Sequence, residues 1–339
     1  MTGMPSSCSL ASLFLALALL ACPATATADE RFAPEDGGVT GAITTEDGRF
    51  VFLGKQGEGT PLGLLEGFGP DASPLGFTQK EGTRIDNLHL GTDAGMRPVL
   101  VFTYCAGRGC DLYRYDFDSR HVTRLPLSRK RCEESGGRMQ RGVVYFARFP
   151  TPGGRAVDAC PVGVFAKRPG RPARRLLRAF PPSWDVSKGV IAFETERVLR
   201  TEVAPNDKVG ITEVRTRRIG ARRSRRVAVG RFRANSKNDL FSGVDLSGVA
   251  LDDGLVYWLR ADYGRSGDAR VNDLFRAPAK GSTDSETLSR EAHPLMDSSS
   301  PDELPVTFAV DGDDLYYYSV PMGTRGAITK VGPGPPKFE

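Results

Sequence analysis

A glycine-containing turn followed by an apolar segment recurs along this chain at a nearly fixed interval. The glycines of the recurring turn are Gly48, Gly95, Gly142, Gly189, Gly254 and Gly312. The first three intervals are 47 residues each, and the last two are 65 and 58 residues. A repeat of about 40 to 50 residues is typical of propellers and solenoids. This period limits the fold more than any other feature of the sequence.

Each repeat has the pattern of four antiparallel strands. A short strand precedes the turn, as at Val39–Thr44, and the segment after the turn is apolar on both faces, as at Leu255–Trp258. A strand of that kind is typical of one packed between two neighbouring sheets. A third strand such as Asp111–Arg114 and a more polar fourth strand such as His121–Leu125 follow. Six such units closed in a ring predict an all-β fold, a six-bladed β-propeller of four-stranded antiparallel blades.

The predicted domain is a single propeller over residues 29–334. Its units lie near 37–83, 84–131, 132–179, 180–237, 238–296 and 297–334, and a flexible tail is predicted at 335–339. Little chain follows Ala327–Val331 in the last unit, so we expect residues near Arg31–Phe32 to add its missing strand and close the ring. Five or seven blades stay open because the 65-residue interval can contain a further half-unit. An open antiparallel stack is the competing architecture.

The units resemble the repeats of a known protein family. EDGRFVF at 46–52, DDGLVYW at 252–258 and DGDDLYYY at 311–318 are each a turn followed by a strand, and segments such as DLYRYD and DLFRAP supply a further strand. Together they are similar to the repeats of TolB-type β-propellers of bacterial envelopes. No unit carries the full Ser-Pro-Asp-Gly of that family, and nothing resembles the separate N-terminal domain of TolB. The resemblance implies a ring fold and an envelope setting, without a particular partner.

The N-terminus predicts export. Leu10–Ala21 is an apolar run of about twelve residues, the length of a signal-peptide core and too short to span a membrane. Small residues at 26–28 predict a signal peptide over residues 1–28, although no Lys or Arg precedes the run. The competing site is a lipobox at Leu19–Cys22, in which Cys22 would carry a lipid anchor. The mature chain is expected to be a secreted or envelope-associated monomer without a transmembrane segment.

Four cysteines remain after the predicted cleavage, namely Cys105, Cys110, Cys132 and Cys160. An even number in an exported chain predicts two disulfides. Cys105 and Cys110 flank a Gly-rich loop between two strand-like runs, where facing positions come within disulfide range. We therefore pair Cys105 with Cys110 and Cys132 with Cys160. A zinc site is the alternative for cysteines at the first of these spacings.

The chain lacks the common catalytic motifs. It has no GxSxG elbow, no HExxH, no P-loop and no GxGxxG. Of three histidines, only His89 falls on a predicted inner strand, whereas His121 begins an outer strand and His293 lies in a polar loop. We predict no catalytic residue, no metal site and no cofactor.

Acidic residues recur at the repeated turns. They are Asp47, Asp93, Asp252, Asp253 and the Asp311-Gly312-Asp313-Asp314 segment. Calcium would need several such oxygens in one place, but recurrence at one turn of separate units favours capping of backbone N–H groups. Paired-carboxylate glycosidase chemistry also stays open.

Two segments of the chain are strongly basic. One runs from Lys167 to Arg178, and the other contains Arg217, Arg218, Arg222, Arg223, Arg225 and Arg226. Both are expected on outer strands and turns of units three and four, where they would form one polyanion-binding flank. The alternative is a chain-wide excess of arginine, since the sequence has 36 Arg and 10 Lys. Nucleic acid is not expected as a partner of an exported chain, whereas an envelope protein or an anionic polymer is.

These features predict a non-catalytic binding or scaffold module of the bacterial envelope or extracellular space. The alternative function is a propeller-fold hydrolase or lyase acting on a glycan, and a third is a structural envelope protein without a dedicated ligand. Two or more histidines, or paired carboxylates, at the channel mouth would favour the enzyme. Fold alone decides none of these, because propellers support many activities.

Overall fold

The structure, a computed structural model, describes part of the chain in detail. The described residues are 30–32, 38–107, 109–127, 132–151, 160–201, 207–235, 240–263, 269–280, 293–294, 305–312, 314–319 and 326–331. All secondary-structure elements in these ranges are β-strands. No helix among them could cross a membrane. The predicted signal peptide, Cys22 and the predicted tail lie outside the described residues.

Each of the first three units forms one four-stranded antiparallel sheet, in which the strands are adjacent in chain order. Unit one contains β2 (Val39–Glu46), β3 (Arg49–Gly54), β4 (Gly63–Glu66) and β5 (Ser73–Thr78). Unit two contains β6 (Thr83–Thr92), β7 (Pro98–Ala106), β8 (Gly109–Asp116) and β9 (His121–Arg124). Unit three contains β10 (Cys132–Gln140), β11 (Val143–Pro150), β12 (Gly163–Lys167) and β13 (Arg174–Leu177).

Units four and five share one eight-stranded sheet. Unit four contains β14 (Trp184–Ser187), β15 (Val190–Thr201), β16 (Asp207–Arg218) and β17 (Arg225–Asn235). Unit five contains β18 (Leu240–Asp252), β19 (Leu255–Tyr263), β20 (Ala269–Pro278) and β21 (His293–Pro294). The two units join because the end of β17 pairs with the start of β18, from Phe232↔Gly243 to Asn235↔Leu240. Units four and five therefore form one continuous sheet, unlike the separate four-stranded sheets of the other units.

The last unit is completed by the N-terminal part of the described chain. It contains β22 (Pro305–Asp311), β23 (Asp314–Ser319) and β24 (Ala327–Val331), and β1 (Glu30–Phe32) pairs with β24. Arg31 lies opposite Thr329, and Phe32 lies opposite Ile328. The predicted closure by residues near Arg31–Phe32 is confirmed.

The first strands of the units contact one another in a closed cycle. β2 contacts β6, and the cycle continues through β10, β14, β18 and β22 back to β2. Four-stranded antiparallel units around such a cycle form a β-propeller, so the predicted fold class is confirmed. The cycle excludes the open antiparallel stack. Six blades stay a prediction, because the shared sheet of units four and five prevents a count by separate sheets.

The core lies between the units, as the two-sided apolar strands predict. The four residues of Val99–Phe102 in β7 are all fully buried. Leu100 and Phe102 pack against unit one, whereas Val99 and Val101 pack against unit three. Alternate side chains of one strand thus fill two interfaces between units. Burial of each side chain contributes about 1.5 to 3 kcal/mol to the free energy of folding.

Most of the recurring turns are two-residue hairpins in which both residues have positive φ. These pairs are Asp47-Gly48, Arg141-Gly142, Lys188-Gly189 and Asp253-Gly254. Positive φ at both positions is the geometry of a type I′ turn and favours glycine. Unit two differs, because Met96 rather than Gly95 has positive φ. The turn of unit two therefore has a different backbone conformation from the other four turns.

The structure contains both predicted disulfides, Cys105–Cys110 and Cys132–Cys160. Cys105 and Cys110 lie directly opposite each other on β7 and β8. The zinc alternative is thereby excluded for these cysteines, since their sulfurs are bonded in pairs.

The position predicted for His293 is wrong. This residue lies in the short strand β21, opposite Arg276 of β20, and not in a loop.

Candidate functional site

The ends of the six first strands enclose a cavity of about 150 Å³ at the centre of the ring. One ionisable side chain from each strand lines it, namely Glu46, His89, Arg138, Asp185, Asp252 and Asp311. The turns between first and second strands surround this end of the channel, which we call the turn face. This cavity is the candidate functional site.

Asp185 is the centre of the charged network in the cavity. Its Oδ1 accepts a hydrogen bond from Arg138 Nε at 3.0 Å and lies 3.5 Å from His89 Nε2. The backbone N–H of Val186 donates to the same oxygen at 2.8 Å, and that of Leu251 donates to Oδ2 at 2.7 Å. A buried carboxylate with this many donors is stabilised in its ionised form.

Arg138 is held by backbone carbonyls as well as by Asp185. Its guanidinium donates to the carbonyls of Gly136, Gly137 and Trp184 at 3.2 to 3.3 Å, and lies 5.2 Å from the Trp184 ring centroid. The pairing of β10 with β11 shifts register just before Arg138. Such a bulge redirects the next side chain, here into the cavity.

His89 is neutral in this environment. Burial, together with the positive charge of Arg138, lowers the pKa of His89 below its ordinary value. Burial alone would raise the pKa of Asp185, but the His89 hydrogen bond and the Arg138 charge outweigh it, and the pKa of Asp185 is lowered. His89 Nδ1 is buried without a hydrogen-bond partner among the described residues. One nitrogen of this imidazole therefore faces Asp185, and the other has an unused lone pair.

Glu46 is the unusual carboxyl group of the cavity. Burial raises the pKa of Glu46 to about 8, and the negative charges of Asp47, Asp185, Asp311 and Asp252 add to the effect. Within the described residues its side chain makes neither a hydrogen bond nor an ion pair. Glu46 is therefore largely protonated at neutral pH and available to a ligand.

The other two carboxylates of the cavity connect neighbouring units. Asp252 Oδ2 accepts the N–H of Gly312 at 2.7 Å, and Asp311 Oδ2 accepts the N–H of Gly48 at 2.8 Å. Each bond joins the end of one first strand to the turn of the next unit. The carboxylates considered for calcium thus bind backbone N–H groups, as the capping alternative predicted.

Two further calcium candidates have protein partners as well. Asp93 accepts the N–H groups of Gly95 and Arg97 at 2.8 and 3.0 Å and pairs with the Arg97 guanidinium. Asp253 pairs with Lys188 at 2.5 Å, and Asp313 lies outside the described residues. In the ranges that the structure covers, no three His, Cys, Asp or Glu side chains are grouped to hold a metal ion.

The predicted arginine flank is only partly available to a ligand. Arg218, Arg222 and Arg223 are exposed. Arg217 is half-buried and donates to the Leu176 carbonyl of unit three, and burial lowers its pKa. Arg226 pairs with Glu213 at 2.8 Å. Arg225 is half-buried and has a partner of its own. The six arginines therefore differ in exposure and in partners, and the polyanion-binding flank stays a prediction.

Sequence reasoning singled out His89 but missed Arg138, Asp185 and Glu46. A usable signal was present, because Arg138 and Asp185 are separated by one 47-residue period. The residue directly before the turn is Glu46, Asp252 or Asp311 in three of the units. Aligning the repeats on their turns would have placed these side chains at the same end of the ring.

Comparison with known proteins shows similarity of overall fold and no more. No family model and no curated protein matches the sequence. The chain is similar to the PQQ-bound aldose sugar dehydrogenase from Streptomyces coelicolor at 12% identity and a TM-score of 0.48, covering 90% of this chain and 98% of that one. It is similar to an oligogalacturonate lyase in complex with manganese at 11% identity and a TM-score of 0.44, covering 85% and 72%.

TolB from Acinetobacter baumannii is another similar structure, at 10% identity and a TM-score of 0.41, covering 85% of this chain and 64% of that chain. The resemblance to TolB-type repeats is therefore one of fold. Similarities this low carry no argument about function, which must come from the site itself.

Proposed function

We propose that this chain is an exported, non-catalytic binding module that takes an envelope partner on its turn face. The observation that carries the proposal is the charged network around Asp185. His89 and Arg138 both face this one carboxylate, and Arg138 also donates to three backbone carbonyls. A general base needs an ionisable group that is free to exchange a proton with a substrate. Asp185 and Arg138 are committed to protein partners in this network, so these two groups make the centre of the ring rigid and are not free to act as a base.

The turn face offers a charged rim around that rigid centre. Asp47, Arg141, Lys188 and Asp253 are exposed at the tips of four turns, with both signs of charge represented. Type I′ turns fix their backbone, so a partner would meet a surface that is already ordered. Mixed charge favours a protein partner with a complementary pattern. The two disulfides fit an oxidising compartment outside the cytoplasm.

The test compares two charge-reversed variants in a crosslinking experiment with solubilised envelope proteins. One variant, Asp47→Lys with Arg141→Glu, alters the turn face. The other, Glu58→Lys with Lys80→Glu, alters exposed residues in connections at the opposite end of the ring. We expect one crosslinked component to be captured by the wild type and the second variant and lost from the first. Equal capture by all three proteins, or none by the wild type, would overturn the proposal.

A glycan hydrolase or lyase is the second candidate, favoured by Glu46. A carboxyl group with a pKa of about 8 and no protein partner can act as a general acid at neutral pH. The assay incubates the mature chain with neutral and acidic glycans and follows new reducing ends and unsaturated products. Turnover that disappears in Glu46→Gln would replace the binding proposal. Absence of turnover in the wild type would exclude the hydrolase or lyase function for these glycans.

A further inference from the structure

Two hairpin turns of neighbouring units carry positive charge without any acidic residue. One turn connects β12 to β13, and the other connects β16 to β17. No Asp or Glu occurs between residues 165 and 180 or between residues 214 and 226. The first segment has six basic residues and the second has seven. Such a concentration of one sign produces a strong local field.

Two contacts place the hairpin turns side by side at the rim of the turn face. The Arg217 guanidinium, at the end of β16, donates to the Leu176 carbonyl of β13 in the neighbouring unit. The backbone N–H of Ile219 donates to the Gly189 carbonyl at 2.8 Å, which holds the β16–β17 turn against a turn of that face. Antiparallel four-stranded units place the turn between strands three and four at the same end as the turn between strands one and two. Both basic turns therefore lie at the outer edge of this face.

Six arginines of these turns are exposed and make no ion pair among the described residues. We call them the rim arginines: Arg168, Arg171, Arg174, Arg218, Arg222 and Arg223. Arg178 is also exposed but follows the far end of β13, whereas two basic neighbours within the first segment have partners. Lys167 Nζ donates to the Pro126 carbonyl at 2.9 Å, and Arg175 lies over the Phe165 ring at 5.8 Å. The rim arginines are thus the charges that an external ligand would meet.

We propose that the rim arginines bind a linear acidic polymer, with carboxylate or phosphate groups spaced along a flexible chain. Guanidinium groups bind such oxyanions with two parallel hydrogen bonds, and six of them on two turns suit repeated charges better than one small anion. This site is separate from the partner surface of the proposed function, which is formed by the inner turns.

A membrane surface fits these turns less well. Interfacial binding combines cations with apolar side chains that enter the lipid. The large apolar residues exposed in the described chain are Met96, Phe180, Val198, Leu199 and Val229, and none lies in either turn. The rim arginines therefore offer charge without an apolar anchor.

The test is a binding titration with two polymers, polygalacturonate for carboxylates and inorganic polyphosphate for phosphates. The variant is Arg218→Gln with Arg222→Gln and Arg223→Gln, in which Arg217 keeps its contact with unit three. The control removes three exposed charges elsewhere, by Lys80→Gln, Arg120→Gln and Lys280→Gln. Both variants lower the net charge equally, and thermal melting confirms that both fold.

We expect the rim variant to bind at least one polymer about tenfold more weakly than the control, with a shallower dependence of affinity on salt. The polymer that responds identifies the oxyanion. Equal weakening of both variants would show a net-charge effect and would overturn the site. Tighter binding to vesicles containing anionic phospholipid than to either polymer would also overturn it. The variant Asp47→Lys with Arg141→Glu alters the partner surface of the proposed function but leaves the rim arginines unchanged. If this variant still binds the polymer, the polymer site is tested independently of the proposed function.

Discussion

His89 Nε2 lies 3.5 Å from Asp185 Oδ1, although the two residues belong to units two and four. Arg138 of unit three donates to the same oxygen, and the Leu251 N–H of unit five donates to the other. One carboxylate therefore connects four consecutive units at the centre of the ring. In a propeller the units pack radially, so polar contacts at the axis are where distant parts of the chain meet.

Replacement of Asp185 by Asn should destabilise the protein strongly. Asparagine keeps the volume but removes the charge that compensates the mostly buried Arg138 guanidinium. Breaking a buried ion pair from one side costs about 3 to 5 kcal/mol of unfolding free energy. Equilibrium unfolding in urea measures this loss. The exposed Asp253, replaced by Asn, serves as the control and should leave the midpoint unchanged. A midpoint for Asp185→Asn equal to that of the control would contradict this role.

The fold was accessible from the sequence because a repeat displays its period several times. The 47-residue spacing, the two-sided burial of Val99–Phe102 and the closing strand near Arg31–Phe32 all follow from local pattern and chain length. The cavity was not accessible in the same way, because it forms from single residues on six strands. Bulges before His89 and Arg138 change which side chains face inward. A period-two pattern does not reveal such shifts.

The contribution of Glu194 to stability should fall as the pH rises from about 4.5 to about 8. Burial raises the pKa of Glu194 from 4.5 to about 8, with Asp245 and Glu196 contributing repulsion. The folded state then holds a proton that the unfolded state releases in this range, so raising the pH favours unfolding. Glu194→Gln should reduce the decrease by up to a few kcal/mol, since one pKa unit corresponds to about 1.4 kcal/mol.

Urea unfolding of wild type and Glu194→Gln at several pH values measures that difference. The variant should gain stability relative to wild type with each step upward in pH through the range. Glu58→Gln, at an exposed glutamate, is the matched control and should follow the wild type. Parallel pH profiles for wild type and Glu194→Gln would show that Glu194 titrates normally.

Alanine should be costlier at Gly48 than at Gly95, where only a small shift of the Asp93 carboxylate is needed. Gly48 has φ of +72°, and an added Cβ would meet nothing within 4 Å, so the cost is conformational alone, about 1 kcal/mol. Gly95 has no positive φ, and an added Cβ would lie 3.3 Å from Asp93 Oδ1. Thermal denaturation of the two variants compares the positions directly. Equal losses at both glycines would contradict the different turn of unit two.

The Cys132–Cys160 disulfide should stabilise the fold more than the Cys105–Cys110 disulfide. The cysteines are 28 residues apart in the first case and 5 in the second. In the chain-entropy model, loops of these lengths correspond to about 3 to 4 and about 2 kcal/mol, because the longer loop restricts the unfolded chain more. Paired Cys→Ala replacements at each disulfide, followed by urea unfolding, test the order.

The mass of the intact protein supplies the control for that comparison. Without reductant, two disulfides leave the chain four hydrogens lighter than the reduced form. Each double variant should then lack only two hydrogens relative to its own reduced form, which shows that the remaining pair still forms. A free thiol at Cys105 or Cys110 in the wild type would contradict the hairpin disulfide. A larger loss on removing the short loop would mean that local packing at β7 and β8, rather than chain entropy, determines the ranking.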